Sequence, residues 1–305
     1  MVHRLFTTGS FDFEYKTLDE HGATKLHRVT GKHSQLHGRL GFIDGVDVFN
    51  SKITPPKINP NTKKPELSSK ELMYRRFLIF KEFYTAPTPV VLCEGKTDNV
   101  YITHAIRSLA SEYPKLANVD SSGTITIKLR RFRYTDSSTG RILRIHGGTG
   151  NLGDFIRNYK TDTSRFKAPG MRWPVILLID NDSGAEPILE SIKQINRKKP
   201  EVSDPYTHIV ANLYLVTTPI SSGETQSTIE DFFDGKTKST VWKGKTFNTG
   251  KDFNRDMNYG KADFALNVVK ANADSIDFSG FRPILDRFVQ VLDEHARRFP
   301  LAPST

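Results

Sequence analysis

The chain has 305 residues, 37% of them hydrophobic, which is enough for two domains or one large one with a proper core. Its 44 Lys and Arg against 34 Asp and Glu leave a net charge of +10. That favours a polyanionic partner such as nucleic acid, although basic surfaces also serve anionic lipids and acidic proteins. Cys93 is the single cysteine, which excludes an intramolecular disulfide and a thiolate zinc cluster and fits a reducing compartment. No apolar run approaches the roughly 18 residues of a membrane helix. Residues 1–15, which include His3, Arg4, Asp12 and Glu14, hold no signal-peptide core, so a cytoplasmic protein with no membrane partner is expected.

In chain order, Leu5 to Phe13 reads as strand-like, Lys25 to Arg39 is basic and His-rich, and Gly41 to Phe49 reads as helical. Between Ser51 and Ser69 the composition changes: Pro55, Pro56, Pro60 and Pro65 sit among Lys, Asn and Ser, the mark of a loop or linker. Ser69 to Tyr84 is expected to be a helix, with Leu72, Arg76, Ile79, Phe80 and Phe83 at helical spacing. Pro87 and Pro89 introduce a continuously apolar strand, Val90 to Cys93, which runs into Glu94-Gly95-Lys96-Thr97-Asp98. Asp98 suits the N-cap of a helix carrying Ile102, Ala105, Ile106 and Leu109 on one face.

Residues 124–145 read as a basic hairpin: Thr124 to Leu129 alternates, Asp136 to Gly140 turns, and Arg141 to Ile145 returns. A second apolar strand, Val175 to Ile179, ends in Asp180-Asn181-Asp182 and leads into a helix over about Ala185 to Asn196. A third strand near Ile209 to Val216 precedes Ile229-Glu230-Asp231-Phe232-Phe233. Strands alternating with helices argue for an α/β fold with a largely parallel sheet flanked by helices. No internal repeat is present.

The two acidic strand ends carry the chemistry. In an open parallel sheet, ligands bind beyond the carboxyl ends of the strands, so Glu94, Asp180 and Asp182 would converge there. Side chains two apart on an extended strand share a face, so Asp180 and Asp182 can act together while Asn181 faces elsewhere. Hard oxygen ligands suit Mg²⁺ or Mn²⁺, and clustered carboxylates repel without a cation. Helix capping is the structural alternative for Asp182 and Asp98. Glu230 and Asp231 would extend the metal cluster, as two-metal phosphoryl transfer requires, or simply begin a helix.

Lys128, Arg130, Arg131, Arg133, Arg141 and Arg144, with Phe132 and Tyr134 among them, can grip phosphates and stack on bases; a solvated sheet edge protected by charge is the structural alternative. Lys96 lies in the turn after Glu94. His146 and the glycines after it either admit backbone amides to a phosphate or form a plain hairpin exit. Gly95-Lys96-Thr97 is not a P-loop, because the glycine required five positions earlier is Val90.

Strand ends of the form Glu94-Gly95 and Asp180-Asn181-Asp182 resemble the Toprim domain of topoisomerases, primases and overcoming-lysogenization-defect nucleases. Ile229 to Phe233 resembles the acidic segment after the third strand in the nuclease branch, and Gly260-Lys261-Ala262-Asp263-Phe264-Ala265 resembles its Lys-x-x-Phe-Ala motif. The likeness covers roughly residues 87 to 270. Gln35 to Asp44, with Tyr74-Arg75-Arg76-Phe77-Leu78, is similar to the region after the polymerase core of retron reverse transcriptases, some of which end in a Toprim domain. No Tyr-x-Asp-Asp polymerase motif occurs here.

These resemblances imply a thumb-like α/β tail over 1–50, a linker and connecting helix over 51–86, a Toprim nuclease domain with an inserted basic hairpin over 87–275, and a C-terminal helix over 276–305. They imply a toxic effector of a retron anti-phage system, cutting RNA or DNA. Mg²⁺ or Mn²⁺ would be held by Glu94, Asp180 and Asp182, and Lys261 would offset phosphate charge. Its partners would be the reverse transcriptase part and its RNA-linked DNA, with self-association left open. A topoisomerase would need a tyrosine nucleophile, for which Tyr101, Tyr113 and Tyr134 have no recognisable context. A primase would need an initiation domain and often zinc. A noncatalytic nucleic-acid-binding and assembly module is the rival from a different class.

Overall fold

The computed structural model describes residues 10–18, 24–32, 67–132, 138–145, 149–201 and 203–300. The expected helix over Gly41 to Phe49, most of the Pro-rich linker, Arg133, Tyr134 and His146 lie outside them. The chain divides into two compact units, Met1–Lys81 and Glu82–Thr305. Among the described residues, no helix is long and apolar enough to cross a membrane.

In the first unit, β1 (Ser10–Leu18) and β2 (Thr24–Lys32) pair antiparallel, with Ser10 opposite Lys32. Helix α1 (Ser69–Ile79) opens on a capping box: the Ser68 hydroxyl accepts from the Glu71 N–H while the Glu71 carboxylate accepts from the Ser68 N–H. It continues as a π turn, Phe80–Tyr84, so the expected helix spans its full length.

The second unit is built on a five-stranded sheet. In chain order its first parts are β3 (Val90–Cys93), α2 (Asp98–Ser108), β4 (Ala117–Val119), β5 (Ile125–Ile127) and β6 (Arg130–Arg131). Helices α3 (Ser138–Leu143) and α4 (Thr149–Thr163) lead to β7 (Val175–Ile179) and α5 (Glu186–Asn196). Strands β8 (Thr207–Val210) and β9 (Leu213–Thr217) follow, then a small parallel pair, β10 (Thr246–Phe247) and β11 (Asn258–Tyr259). Helix α6 (Lys261–Asp263) runs on as a π turn, Phe264–Val269, and α7 (Arg282–Arg298) ends the unit.

The sheet order is β6-β3-β7-β9-β8, with β6, β3, β7 and β9 parallel and only the edge strand β8 antiparallel. Strands buried on both faces explain the unbroken apolar runs, since every residue of β3, β7 and β9 is buried. Alternate residues face opposite layers. Val91, Cys93, Ile176, Leu178, Tyr214 and Val216 join one cluster with Ile102 and Ile106 of α2, Phe264 and Val268 of the π turn, and Phe288 and Val291 of α7. Val90, Leu92, Val175, Leu177 and Leu215 point the other way, where α4 and α5 pack on each other. From β3 the chain crosses to β6 on one side and returns to β7 on the other. The carboxyl ends of β3 and β7 therefore flank the point where strand order reverses, the crevice in which open α/β sheets bind ligands.

Three expectations are corrected. The basic hairpin over 124–145 does not form. Ile125–Ile127 pairs back with Ala117–Val119, Arg130–Arg131 enters the main sheet beside Val90 and Val91, and the returning segment is helix α3. The open edge of β3 takes the Arg130 and Phe132 N–H groups, and Ile142, Leu143 and Ile145 bury without a strand partner. The single third strand is two strands, reversed at Ala211 in a left-handed conformation (φ 52°). Asp98 is not the N-cap of α2, a position held by Thr97. The C-terminal helix is integral to the core, contributing Ile284, Leu285, Phe288 and Val291.

Gly280 sets how closely the turn before α7 approaches the Ile229–Phe232 turn, because a Cβ there would lie 2.3 Å from the Phe232 carbonyl oxygen. Gly280→Ala is expected to lower stability by about 1–3 kcal/mol, read as a reduced urea midpoint at unchanged slope. Gly235→Ala, which meets nothing within 4 Å, should leave the midpoint in place.

Candidate metal centre

Glu94 leaves β3 with its N–H donating to the Leu178 carbonyl of β7 (2.9 Å), so Glu94 and Asp180 extend from neighbouring parallel strands. Gly95 leaves room for the Asp98 carboxylate in this position: a Cβ there would stand 2.5 Å from Asp98 Oδ1 and push it away. The Asp98 carboxylate folds back onto the Gly95 N–H (2.9 Å) and the Thr97 hydroxyl (3.3 Å), turning it into the crevice rather than along its helix.

The loop after β9 returns to the end of β7. Asn181 and Ser227 exchange backbone hydrogen bonds (2.8 and 2.9 Å), and the Thr218 hydroxyl accepts from the Asn181 N–H while donating to the Ser227 carbonyl. This latch delivers the Ile229 N–H to Asp180 Oδ1 (2.8 Å) and buries Glu230 beside it. Lys261, at the start of α6, brings its ammonium to 2.9 Å from Glu230 Oε2 and 3.8 Å from Asp180 Oδ2. The Tyr101 hydroxyl donates to the Lys261 carbonyl (3.4 Å).

Five carboxylates therefore share one crevice with one lysine. Burial, then the Asp182 and Asp98 charges, push Glu94 up to about 7, against the Asp180 N–H and Lys261. Burial, then Asp98, push Asp180 up to about 7; Glu230 adds to the rise, while Lys261 and the Ile229 N–H oppose it. Asp98 is raised too, by burial first, against the Gly95 N–H, with Glu230 adding to the rise. For Lys261, burial works to lower the pKa, but Glu230, Asp180 and Asp98 outweigh it and the ammonium is held above its usual range. The cluster thus carries more negative charge than its single cation balances.

Among the described residues, no three His, Cys, Asp or Glu side chains are gathered closely enough to close around one ion in this arrangement. The donor set is nevertheless all hard oxygen, half-buried at Glu94, Asp180 and Asp182 and buried at Asp98 and Glu230, and repelled by itself, which fits Mg²⁺ or Mn²⁺ and no soft metal.

The sequence-derived candidates fall into two groups. Glu94, Asp180, Asp182, Glu230 and Lys261 come together, with Asp182 near enough for its charge to act on Glu94 while it accepts from the Gly184 N–H (2.7 Å). Asp231 does not join them: it is exposed and closes a capping box with Thr228 (2.8 Å). The basic residues are dispersed. Arg130 pairs with Glu82 and lies over the Phe132 ring, Arg131 donates to the Thr103 hydroxyl, and Lys128 donates to the Pro114 carbonyl (2.8 Å). Arg144 is half-buried with φ 57°, while Lys96 and Arg141 are exposed. Asp98 is the site residue that sequence reasoning assigned elsewhere. Its signal was the glycine three residues before it, which leaves room for a carboxylate to fold back.

Beside Asp182, a cleft of about 460 Å³ is lined by Leu189 of α5 together with Lys199, Pro200, Ser203 and Gln226. No family model matches the chain, and no solved structure matches it. Fold and site together define an α/β protein with an acidic crevice at the switch point of its sheet.

Proposed function

We propose that this chain is a divalent-cation-dependent nuclease of the Toprim type, the toxic effector of a retron anti-phage system. The observation that supports it best is the convergence of Glu94, Asp98, Asp180, Asp182 and Glu230 with Lys261 at the carboxyl ends of two adjacent parallel strands. Glu94, Asp180 and Asp182 would hold Mg²⁺ or Mn²⁺, with Glu230 and Asp98 behind them. The bound ion would supply Lewis-acid stabilisation of a phosphoryl oxygen.

The chain's own residues account for the rest. The Ile229 and Gly95 N–H groups fix the Asp180 and Asp98 carboxylates in place. Lys261 stays protonated and lies within reach of a phosphate beside Asp180, where its charge offsets that of the transition state. Restraint by a reverse transcriptase part and its RNA-linked DNA rests on the sequence resemblance of the N-terminal unit.

The test is cleavage of labelled single-stranded DNA, duplex DNA and total RNA by the purified chain in Mg²⁺, Mn²⁺ or EDTA, beside Asp180→Asn. Cutting that needs the cation and disappears in Asp180→Asn is the expected result, and the substrate cut names the target. Equal retention of nucleic acid by both proteins with no cutting would favour the noncatalytic binding module.

A further inference from the structure

The segment between the Ile229–Phe232 turn and Lys261 is absorbed neither by the core nor by the carboxylate cluster. Residues 240–260 carry four Lys and Arg (Lys243, Lys245, Lys251 and Arg255) against two Asp (Asp252 and Asp256), so the segment is net basic. The same segment exposes apolar side chains that a lone domain has no reason to display: Val241 is 62% exposed, Met257 67% and Phe253 41%. Lys243, Lys251 and Arg255 are exposed among them. Lys251 and Arg255 make no side-chain hydrogen bond or ion pair with any described residue, and Lys243 rests its ammonium over the Trp242 ring (4.5 Å).

This surface packs against the turn that follows Lys261. Phe247 of β10 stacks on Phe264 at 4.1 Å, Tyr259 of β11 is buried against Trp242 and Phe247, and the Tyr259 hydroxyl donates to the Thr240 carbonyl (2.6 Å). A Cβ on Gly260 would touch the Phe253 ring at 4.0 Å. The exposed ring therefore lies beside the residue that precedes Lys261, whose ammonium reaches Glu230 and Asp180.

We infer that residues 240–260 form a docking surface for single-stranded nucleic acid, with Lys243, Lys251 and Arg255 on its phosphates and Phe253 and Met257 under its unpaired bases. Isolated cations separated by exposed aromatic and thioether faces match a strand whose charge and bases alternate. A duplex hides its bases and leaves those faces unused. A base on Phe253 would leave the neighbouring phosphate beside Lys261. The inference takes from the nuclease reading only its link to cleavage; the binding surface stands without it.

The experiment is fluorescence anisotropy of labelled oligo(dT), oligo(U) and a paired duplex with the full chain in EDTA, titrated over salt. Wild type should bind both single strands. Lys251→Glu/Arg255→Glu should weaken that binding about tenfold or more and lower the slope of log affinity against log salt by about 1.4. Phe253→Ala should cost about 5-fold to 150-fold on single strands and little on the duplex. Arg297→Glu/Arg298→Glu, an equal charge change on α7, should leave binding as it was. Unchanged binding in the first two variants, an equal loss in the α7 variant, or no binding in EDTA would each overturn the assignment. Because nothing is cut in EDTA, binding without cleavage in a parallel Mg²⁺ assay counts against the nuclease reading alone. Cleavage without binding at this surface counts against the surface alone.

Discussion

Asp180→Asn is expected to give a protein that melts higher than wild type at pH 8 and no longer cleaves. The Asp180 pKa is pushed up to about 7 by burial and by Asp98, so its ionised form is disfavoured in the folded chain relative to the unfolded one. Between the ordinary carboxylate range near 4 and about 7, the folded state holds a proton that the unfolded state has released, so stability falls as pH rises through that window. Glu94, also pushed up to about 7, acts in the same direction.

Asparagine keeps an oxygen to accept from the Ile229 N–H and removes the charge. A gain of about 2 kcal/mol, or roughly 4–8 °C in Tm, is expected at pH 8, shrinking toward pH 4. Mg²⁺ should raise the Tm of wild type at pH 8 and do little for the variant, since a ligand stabilises only the state that binds it. Cleavage should fall at least 100-fold. A variant that melts lower at pH 8, or that still cuts, would remove Asp180 from the site.

Lys261→Met should have the opposite effect on stability and the same one on activity. It leaves Glu230, whose side chain is 6% exposed, without the ammonium at 2.9 Å, and adds repulsion at Asp180. Breaking a fully buried pair costs about 3–5 kcal/mol; with the Lys261 side chain 40% exposed, about 2 kcal/mol is expected at pH 8. The double variant Lys261→Met/Glu230→Gln should recover most of that loss, giving a coupling energy of at least about 1 kcal/mol in a double-mutant cycle. Activity should stay low in both, by about 100-fold or more, because removing a charge aimed at the transition state is not repaired by relieving strain in the resting protein. Additive losses in the cycle would show that the two side chains act independently.

Both effects arise from residues whose convergence was only half legible in the sequence. Val90 to Cys93 and Val175 to Ile179 announced buried parallel strands because a strand covered on both faces must be apolar throughout, and their acidic ends then had only one place to go. The helices Ser69 to Tyr84 and Glu186 to Asn196 were equally plain, since helical periodicity over three turns has few rivals. The 124–145 segment misled for the converse reason. Short alternating runs fit a hairpin or a crossing, and the open edge of β3 decided between them.

What the sequence determined alone was the α/β layering, the two acidic strand ends and the basic balance, all properties of local pattern and composition. Only the tertiary structure decided which acids meet. It turned Asp98 inward through the space Gly95 leaves, drew Glu230 in through the latch of Asn181 on Ser227, and left Asp231 outside as a cap. It also placed the exposed Phe253 ring beside Gly260, where a basic loop of no recognisable pattern borders the site lysine. The latch of Asn181 on Ser227 joins two distant stretches of chain, which no local periodicity encodes, whereas the Asp98 and Asp231 turns use neighbours three residues away whose side chains can face either way until the crevice forms around them.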